Sequence, residues 1–212
     1  MLSVVIPTFD SERTLVPTLA MLVPAAMSGV VRDVIIADGR SADATLEVAD
    51  IAGCNVVASS APLAQRLREA VATARAPWLM FLRPGTVLDT TWLDETVNFI
   101  EDTERGDAAV AAVFRRAAPR RAPYPMVIEA LALIKFALIG RAGPDQGLII
   151  STRLYGELGG PRDGAADPEA DLLGRLGRRP WVCAQERLRS HSRRSPSAIS
   201  ASSTTGRNTC CS

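Results

Sequence analysis

Short apolar segments of strand length recur along the first half of the chain, and a segment with helical spacing follows each of the first four. The apolar segments are residues 3–9, 31–39, 54–59, 77–82 and 107–114. Between them, apolar residues recur three and four positions apart, which is the spacing of one helix face. Strands that alternate with helices predict an α/β fold with a mostly parallel sheet, whose ligands bind beyond the carboxyl ends of the strands.

The second half of the chain is less regular. It predicts short strands at residues 147–151 and 180–185, and helices at residues 126–139, 152–160 and 167–179. From residue 195 the sequence is rich in Ser and Thr and has little to bury, as is typical of a disordered tail. We therefore expect a single domain over residues 1–194 and a disordered tail over residues 195–212.

Composition narrows the classes of function. Hydrophobic residues make up 47% of the 212 residues and the net charge is +1, which predicts a packed core and gives no reason to expect a nucleic-acid partner. The longest apolar stretch, residues 126–139, is interrupted by Glu129 and Lys135 and is too short for a membrane span. We expect a reduced, cytoplasmic protein. The basic loop 115–121 beside that stretch suggests either a peripheral contact with the inner face of a membrane or a solvated charge run.

Two strand ends carry groups suited to a nucleotide. A nucleobase needs an acceptor for its imide N–H and a flat surface beside it. Asp38 ends the second strand and is able to accept that N–H, and Gly39 lets the backbone turn sharply there. Thr8 and Glu12, after the first strand, are placed to contact the base or ribose. The alternative is that Asp38 and Asp43 cap a helix and close a turn.

The segments VVIPTFDSERTL and DVIIADGRSADAT together resemble family 2 glycosyltransferases of the GT-A fold, and DQGLIISTRLYGELGG (145–160) resembles the Asp-Gln-Gly strand of a bacterial subgroup. The resemblance covers roughly residues 2 to 194. It implies a nucleotide-diphosphate sugar as a partner, with an acceptor that the sequence does not identify. The nucleotide-binding residues that it implies are Pro7, Thr8, Asp10, Glu12, Asp38, Gly39, Gln65 and Arg83.

The fourth strand departs from the family pattern. There the family ends the strand in Asp-x-Asp or His-x-Asp followed by Thr, and the last carboxylate holds a divalent cation against the diphosphate. Here Arg83 and Gly85 occupy the acidic positions, and only Thr86 is retained. We therefore assign no metal ligand, and Mg²⁺ or Mn²⁺ stays open as a cofactor. Either Arg83 supplies the positive charge itself, or the site has lost catalysis and kept the fold.

The catalytic base is the second test of activity. Inverting members of the family carry a Glu-Asp pair before a helix, and its carboxylate deprotonates the acceptor hydroxyl. The segment ADPEADLLGRL places Glu169 at the base position and Pro168 where the preceding Glu is expected. Asp145 is the second-choice acid. The alternative is that Glu169 belongs to a capped, solvated helix start.

The resemblance implies a few further contacts on the diphosphate or acceptor side. These are Thr86, Gln146, Arg193 and Arg194. The function that follows is sugar transfer from a nucleotide-diphosphate donor, without a metal if Arg83 replaces it. The main alternative is an inactive nucleotide-binding or scaffold protein of the same fold. A nucleotidyltransferase is a weaker alternative, because the loop after the first strand lacks the Gly expected of that class.

Overall fold

The computed structural model describes residues 1–106, 111–116, 147–176 and 180–186. The strands are β1 Leu2–Thr8, β2 Val31–Asp38, β3 Asn55–Ala58, β4 Trp78–Phe81, β5 Ala111–Arg116, β6 Leu148–Ser151 and β7 Pro180–Glu186. The helices are α1 Glu12–Met27, α2 Thr45–Ile51, α3 Leu63–Ala72, α4 Trp92–Gly106, α5 Thr152–Leu158 and α6 Pro168–Leu176. The predicted helix 126–139, most of the basic loop 115–121 and the tail from residue 195 lie outside the described residues.

The strands form one seven-stranded sheet in the order β3-β2-β1-β4-β6-β5-β7. The three strand pairs β2–β3, β1–β2 and β1–β4 are all parallel. Strand β6 runs antiparallel to both β4 and β5, and β7 is again parallel to β5. The predicted mostly parallel α/β sheet is confirmed, and β6 is the single reversed strand among the described residues.

Helices cover both faces of the sheet. Because successive strand side chains point to opposite faces, β1 sends Val4 and Ile6 to one side and Val5 to the other. Helices α1, α2 and α4 pack on the first side, and α3, α5 and α6 pack on the second. Every residue of β4 is buried, which explains its continuous apolar sequence. None of the described helices is long and apolar enough to cross a membrane.

The N-cap side chain of α1 does not hydrogen-bond to the first turn of its own helix, as N-cap hydroxyls usually do. Ser11 occupies the N-cap position, but its side chain makes no capping hydrogen bond to the helix. Its hydroxyl instead accepts from the Phe9 N–H at 3.2 Å and donates to the Phe9 carbonyl at 2.9 Å. Ser11 therefore shapes the loop after β1, which lies at the edge of the sheet where the predicted site is found.

Candidate functional site

The carboxyl ends of three adjacent strands bring the predicted site residues together. Strands β2, β1 and β4 are neighbours and run in the same direction. Thr8 at the end of β1 is in register with Asp38 at the end of β2, and Val5 is in register with Phe81. Arg83 follows β4 at the same edge. Pro7 lies half-buried within β1, opposite Ala37.

Asp38 is fully buried and anchors the loop that follows β2. Its Oδ1 accepts hydrogen bonds from the hydroxyls of Thr8 at 2.8 Å and Ser41 at 2.5 Å, and its Oδ2 accepts from the Ser41 N–H at 2.8 Å. Burial pushes the pKa of Asp38 upward, but the hydrogen bonds from Ser41 and Thr8 outweigh it, so the pKa lies below its ordinary value. Asp38 is therefore an ionised loop anchor, and its contact with a base stays a prediction.

Hydrogen bonds tie the loop after β1 to the loop after β2. The bonds are Asp10 N–H to Ser41 Oγ (2.9 Å), Ala42 N–H to Asp10 Oδ1 (2.7 Å), Ser11 N–H to Thr45 Oγ1 (2.8 Å) and Glu12 N–H to Asp43 Oδ2 (3.0 Å). Asp10 and Arg40, at the tips of the two loops, have positive φ angles of 45° and 65°. Left-handed backbone at residues other than Gly is costly and concentrates at functional sites.

Asp43 closes the second loop. Its Oδ1 accepts from the N–H of Thr45, the first residue of α2, at 3.0 Å. Its Oδ2 accepts from the Glu12 N–H, and these hydrogen bonds lower the pKa of Asp43, with the bond from the Thr45 hydroxyl contributing most. The alternative in which Asp43 closes a turn before a helix therefore describes its observed contacts.

Arg66 is a site residue that the sequence analysis missed. Its Nη1 donates to the carbonyl oxygen of Thr8 at 3.1 Å and to that of Ala37 at 3.0 Å, so the guanidinium bridges the ends of β1 and β2. A Cβ at Gly39 would lie 2.8 Å from that nitrogen and 3.0 Å from the Phe9 ring. The absence of a side chain at Gly39 is what lets Arg66 and Phe9 approach it.

Phe9 provides a flat apolar surface beside these groups. It follows β1 directly, and 64% of it is exposed, which is unusual for an aromatic side chain. Gln65, predicted from the family pattern, precedes Arg66 on α3 and is exposed. It donates to Glu69 at 2.8 Å on the same helix. The helix therefore presents Arg66, rather than Gln65, to the ends of β1 and β2.

The Pro-Gly pair after β4 forms a tight turn. The Thr86 N–H donates to the Arg83 carbonyl at 3.0 Å, and Gly85 has a φ of 90°. Pro at the second position and a positive-φ Gly at the third are the signature of a type II turn. The Gly85 N–H donates to the Thr14 carbonyl of α1 at 2.9 Å, which fixes the turn against that helix. Thr86 is buried, with its carbonyl accepting from the Thr18 hydroxyl at 3.0 Å.

The turn directs Arg83 toward the start of α6. The Arg83 Nε donates to Glu169 Oε2 at 2.6 Å, and Nη2 donates to Asp167 Oδ2 at 3.0 Å. Burial pulls the pKa of Arg83 downward, but the charge and hydrogen bond of Glu169, with those of Asp167, raise it above its ordinary value. The residue at the expected metal corner and the residue at the expected base position thus form one ion-paired cluster.

The start of α6 explains how Glu169 is held. Asp167 Oδ1 accepts from the N–H groups of Glu169 and Ala170, both at 3.1 Å, so Asp167 caps the helix while its other oxygen accepts from Arg83. Pro168 is the first helical residue, where its missing N–H costs nothing. The helix start is capped, as one alternative expected, but it is not solvated, because Glu169 is only 6% exposed.

The described residues of this corner do not fit a divalent cation. Mg²⁺ and Mn²⁺ prefer several oxygen ligands. The two carboxylates present, those of Asp167 and Glu169, face the Arg83 guanidinium instead. Across the described part of the chain, no group of three or more His, Cys, Asp or Glu side chains is placed to hold a metal ion. The predicted residues Asp145, Gln146, Arg193 and Arg194 lie outside the described residues.

Solved structures share this architecture. Glucosyl-3-phosphoglycerate synthase from Mycobacterium tuberculosis, in complex with Mn²⁺, UDP and glucosyl-3-phosphoglycerate, matches 91% of this chain and 73% of its own, with a TM-score of 0.63 and 18% identity. Residues 1–349 of S. aureus TarS match 86% of this chain with a TM-score of 0.59 and 16% identity. This chain spans 58% of that TarS chain. At these identities the likeness shows the GT-A fold.

Sequence comparison gives the family. No curated protein matches this chain. Residues 3–152 match the family model described as glycosyl transferase family 2. The match covers more than half of the chain and runs from the second residue of β1 to just beyond β6. The chain therefore belongs to glycosyl transferase family 2.

Proposed function

We propose that this protein transfers a sugar from a nucleotide-diphosphate donor to an acceptor hydroxyl, and that Arg83 replaces the metal ion at the diphosphate. Family membership supports sugar transfer as the reaction class. The synthase of the same fold was solved with UDP-glucose and Mn²⁺, which makes UDP-sugars the first donors to test. The observation that carries the proposal is the position of Arg83 after β4, at the same carboxyl edge of the sheet as the ends of β1 and β2.

The proposed nucleotide-binding surface lies at the ends of β1 and β2. The exposed ring of Phe9 offers a stacking surface for a base, and base–aromatic stacking contributes about 1–3 kcal/mol. Arg66 borders the same space with a guanidinium that donates to both strand ends. Asp38 holds the adjoining loop in place through its hydrogen bonds with Ser41 and Thr8. We assign the base and ribose to this surface.

We assign the binding of the diphosphate to the guanidinium of Arg83. Guanidinium groups bind phosphate oxygens through paired N–H donors and stay protonated at all ordinary pH values. Charge develops on the diphosphate as the bond to the sugar breaks, and a fixed cation stabilises that charge. Glu169, which lies against Arg83, is the proposed general base for the acceptor hydroxyl. In this scheme Arg83 serves the leaving group and Glu169 serves the nucleophile.

Calorimetric titration tests the binding half of the proposal. UDP, GDP and dTDP are titrated into the full chain in buffer with EDTA and again with Mn²⁺. We expect one of them to bind equally well under both conditions, and Arg83→Gln to weaken its binding about tenfold or more. Arg105→Gln is the matched control, because Arg105 lies exposed on α4 and pairs only with Glu101 and Asp102 among the described side chains. Binding that requires Mn²⁺ contradicts the assignment of Arg83.

Turnover separates transfer from simple binding. Release of free nucleoside diphosphate from UDP-glucose and related donors is followed by chromatography, with water and a pool of sugar and glycerate acceptors. We expect release that falls by about a hundredfold or more in Glu169→Gln. The ion pair of Glu169 with Arg83 also favours a second candidate function, a non-catalytic nucleotide-binding protein. That candidate predicts tight nucleotide binding with no release of diphosphate from any donor.

A further inference from the structure

We infer that the donor diphosphate and Glu169 compete for the Arg83 guanidinium, so that donor binding releases Glu169 to act as the base. This inference rests on the proposed function and adds a regulatory coupling to it. It makes donor binding a precondition for deprotonation of the acceptor. The argument depends on the placement, exposure and charge of the cluster formed by Arg83, Asp167 and Glu169.

Arg83 is the more exposed member of its ion pair with Glu169. One third of its side chain is exposed, while only 7% of the Glu169 side chain is exposed. Apolar side chains wall the cavity beside Glu169, among them Leu67, Phe81 and Leu172. An incoming anion therefore meets the guanidinium before it meets the carboxylate.

The two carboxylates occupy the edge of the guanidinium that a phosphate prefers. Nε and one Nη nitrogen form a paired edge suited to two oxygens of a single oxyanion. In this structure Nε donates to Glu169 and Nη2 donates to Asp167. A diphosphate that takes this edge must displace at least the bond from Nε to Glu169.

The charge balance of the cluster favours the same exchange. Among the described side chains, one positive charge faces two negative charges, so these three groups together repel an anionic diphosphate. Moving Glu169 away from Arg83 reduces that repulsion and supplies the guanidinium donors to the phosphate oxygens. The carboxylate that is released regains the lone pair that the guanidinium had engaged.

In the chemical step that follows, the proton and the leaving group are both taken up by groups of this site. The acceptor hydroxyl gives its proton to Glu169 Oε2, and its oxygen forms a bond with the anomeric carbon of the sugar. The bond from that carbon to the diphosphate oxygen breaks, and the electron pair leaves with the diphosphate on Arg83. While Oε2 is held at 2.6 Å from the Arg83 Nε, it is a poor proton acceptor. Donor binding removes this restraint, so the donor has to be bound before the acceptor hydroxyl is deprotonated.

A double-mutant cycle on binding affinity tests the competition. The wild-type chain, Glu169→Gln, Arg83→Gln and the double variant are titrated in EDTA with the tightest binder among UDP, GDP and dTDP, and with its parent nucleoside. We expect Glu169→Gln to tighten diphosphate binding about fivefold and Arg83→Gln to weaken it. The double variant should match Arg83→Gln, because the gain requires the guanidinium. Affinity for the nucleoside should not change in any variant.

Asp167→Asn is the companion variant. Asn caps helices as well as Asp does, so this change keeps the start of α6 and removes one negative charge from Arg83. We expect tighter diphosphate binding, by less than in Glu169→Gln, because the Asp167 contact is longer and more exposed. Circular dichroism and thermal melting check that each variant is folded.

Three outcomes would overturn the inference, and they differ in what they mean for the proposed function. If the wild-type chain binds a nucleoside diphosphate and Glu169→Gln leaves that affinity unchanged or lower, the competition is wrong and the proposed function survives. If no nucleoside diphosphate binds the wild-type chain, the proposed function falls and the inference falls with it. A gain in Glu169→Gln that persists in the double variant also overturns the inference, because the gain would not pass through Arg83.

Discussion

The side chains of Arg83 and Glu169 meet at 2.6 Å although the residues are 86 positions apart in the sequence. Arg83 follows β4, and Glu169 lies in the first turn of α6. Arg83 stands where the family pattern has the first residue of its Asp-x-Asp or His-x-Asp motif, and Glu169 stands at the expected base position, with Pro168 in place of the preceding Glu. The two positions are one physical unit, because the guanidinium at one position neutralises the carboxylate at the other.

We expect Arg83→Gln to destabilise the fold more than Glu169→Gln. The first change removes the positive charge that faces a nearly buried carboxylate, whereas the second removes that carboxylate's charge and keeps an oxygen for Arg83. The cost of Arg83→Gln is about 1–3 kcal/mol after allowance for the exposed third of the side chain. Urea unfolding measures it, with Arg105→Gln as the exposed control at about 0–0.5 kcal/mol. Equal costs for Arg83→Gln and its control would contradict the prediction.

Asp38→Asn should make stability less sensitive to acid. The pKa of Asp38 is lowered in the folded state, so its contribution is present above the unfolded pKa of about 3.9 and is lost as pH falls through the folded pKa. The stability gap between the wild type and Asp38→Asn is therefore expected to be full at pH 7 and to shrink below a pH of about 4. Urea unfolding at several pH values measures the gap. A gap that stays constant would show that the Asp38 charge contributes nothing.

Gly147→Ala should be costly, for two separable reasons. Gly147 has a φ of 65°, and an added Cβ would lie 3.0 Å from both Leu82 and Phe114. Gly53 has a similar φ of 72°, but nothing lies within 4 Å of its Cβ position. Gly53→Ala therefore measures the backbone strain alone, at about 1–2 kcal/mol. We expect Gly147→Ala to cost about 1–3 kcal/mol more, as an overpacked core does, in thermal or urea unfolding.

Gly39→Ala should damage nucleotide binding more than it damages the fold. The new Cβ would meet the flexible end of Arg66 at 2.8 Å and the edge of Phe9 at 3.0 Å, and both side chains can move away. The expected loss of stability is therefore below about 1.5 kcal/mol. Affinity for a nucleoside should fall about tenfold or more if Phe9 and Arg66 border the base. Unchanged nucleoside affinity would place the base elsewhere.

The thiol of Cys54 should react slowly with alkylating reagents. Burial raises its pKa to about 11, so at pH 8 its reactive thiolate is about a hundredfold scarcer than in the unfolded chain. The stability contributed by the protonated thiol is present below the unfolded pKa and is lost as pH rises through about 11. Site-resolved alkylation at pH 8 measures the rate, with the same peptide in denatured protein as the reference. Equal alkylation rates in the folded and denatured protein would contradict the prediction that folding slows the reaction of Cys54.

The periodic spacing of apolar residues in the sequence was sufficient to predict the layer structure of this fold. The alternation of β-branched runs with helical spacing predicted β1 to β4 and α1 to α4 within a few residues, because each element buries one continuous apolar surface. It could not predict that β6 enters between β4 and β5 in the opposite direction. The direction of a strand depends on its connections and neighbours, and the side-chain pattern of β6 is the same in either orientation.

Contacts in the candidate site were predictable between residues that are close in the sequence. Contacts between residues that are far apart in the sequence were not. Asp38 and Ser41 lie three positions apart in one loop, so their pattern is visible in the sequence. Arg66 gave no such signal, because a helical Arg is usually solvated and only the fold brings it to Thr8 and Ala37. The sequence marked Arg83 and Glu169 separately, but their pairing depends on the direction of a turn and on the start of a distant helix.

The bonds that join the loops after β1 and β2 have a kinetic consequence. Asp10 and Ser41 lock the two tips together, and Ser11 and Glu12 extend the connection to the start of α2. A ligand that binds against the joined loops finds them already ordered, and no slow rearrangement has to precede the encounter. Differences in affinity among related nucleotides should therefore lie in how long each one stays bound, with arrival rates nearly the same for all.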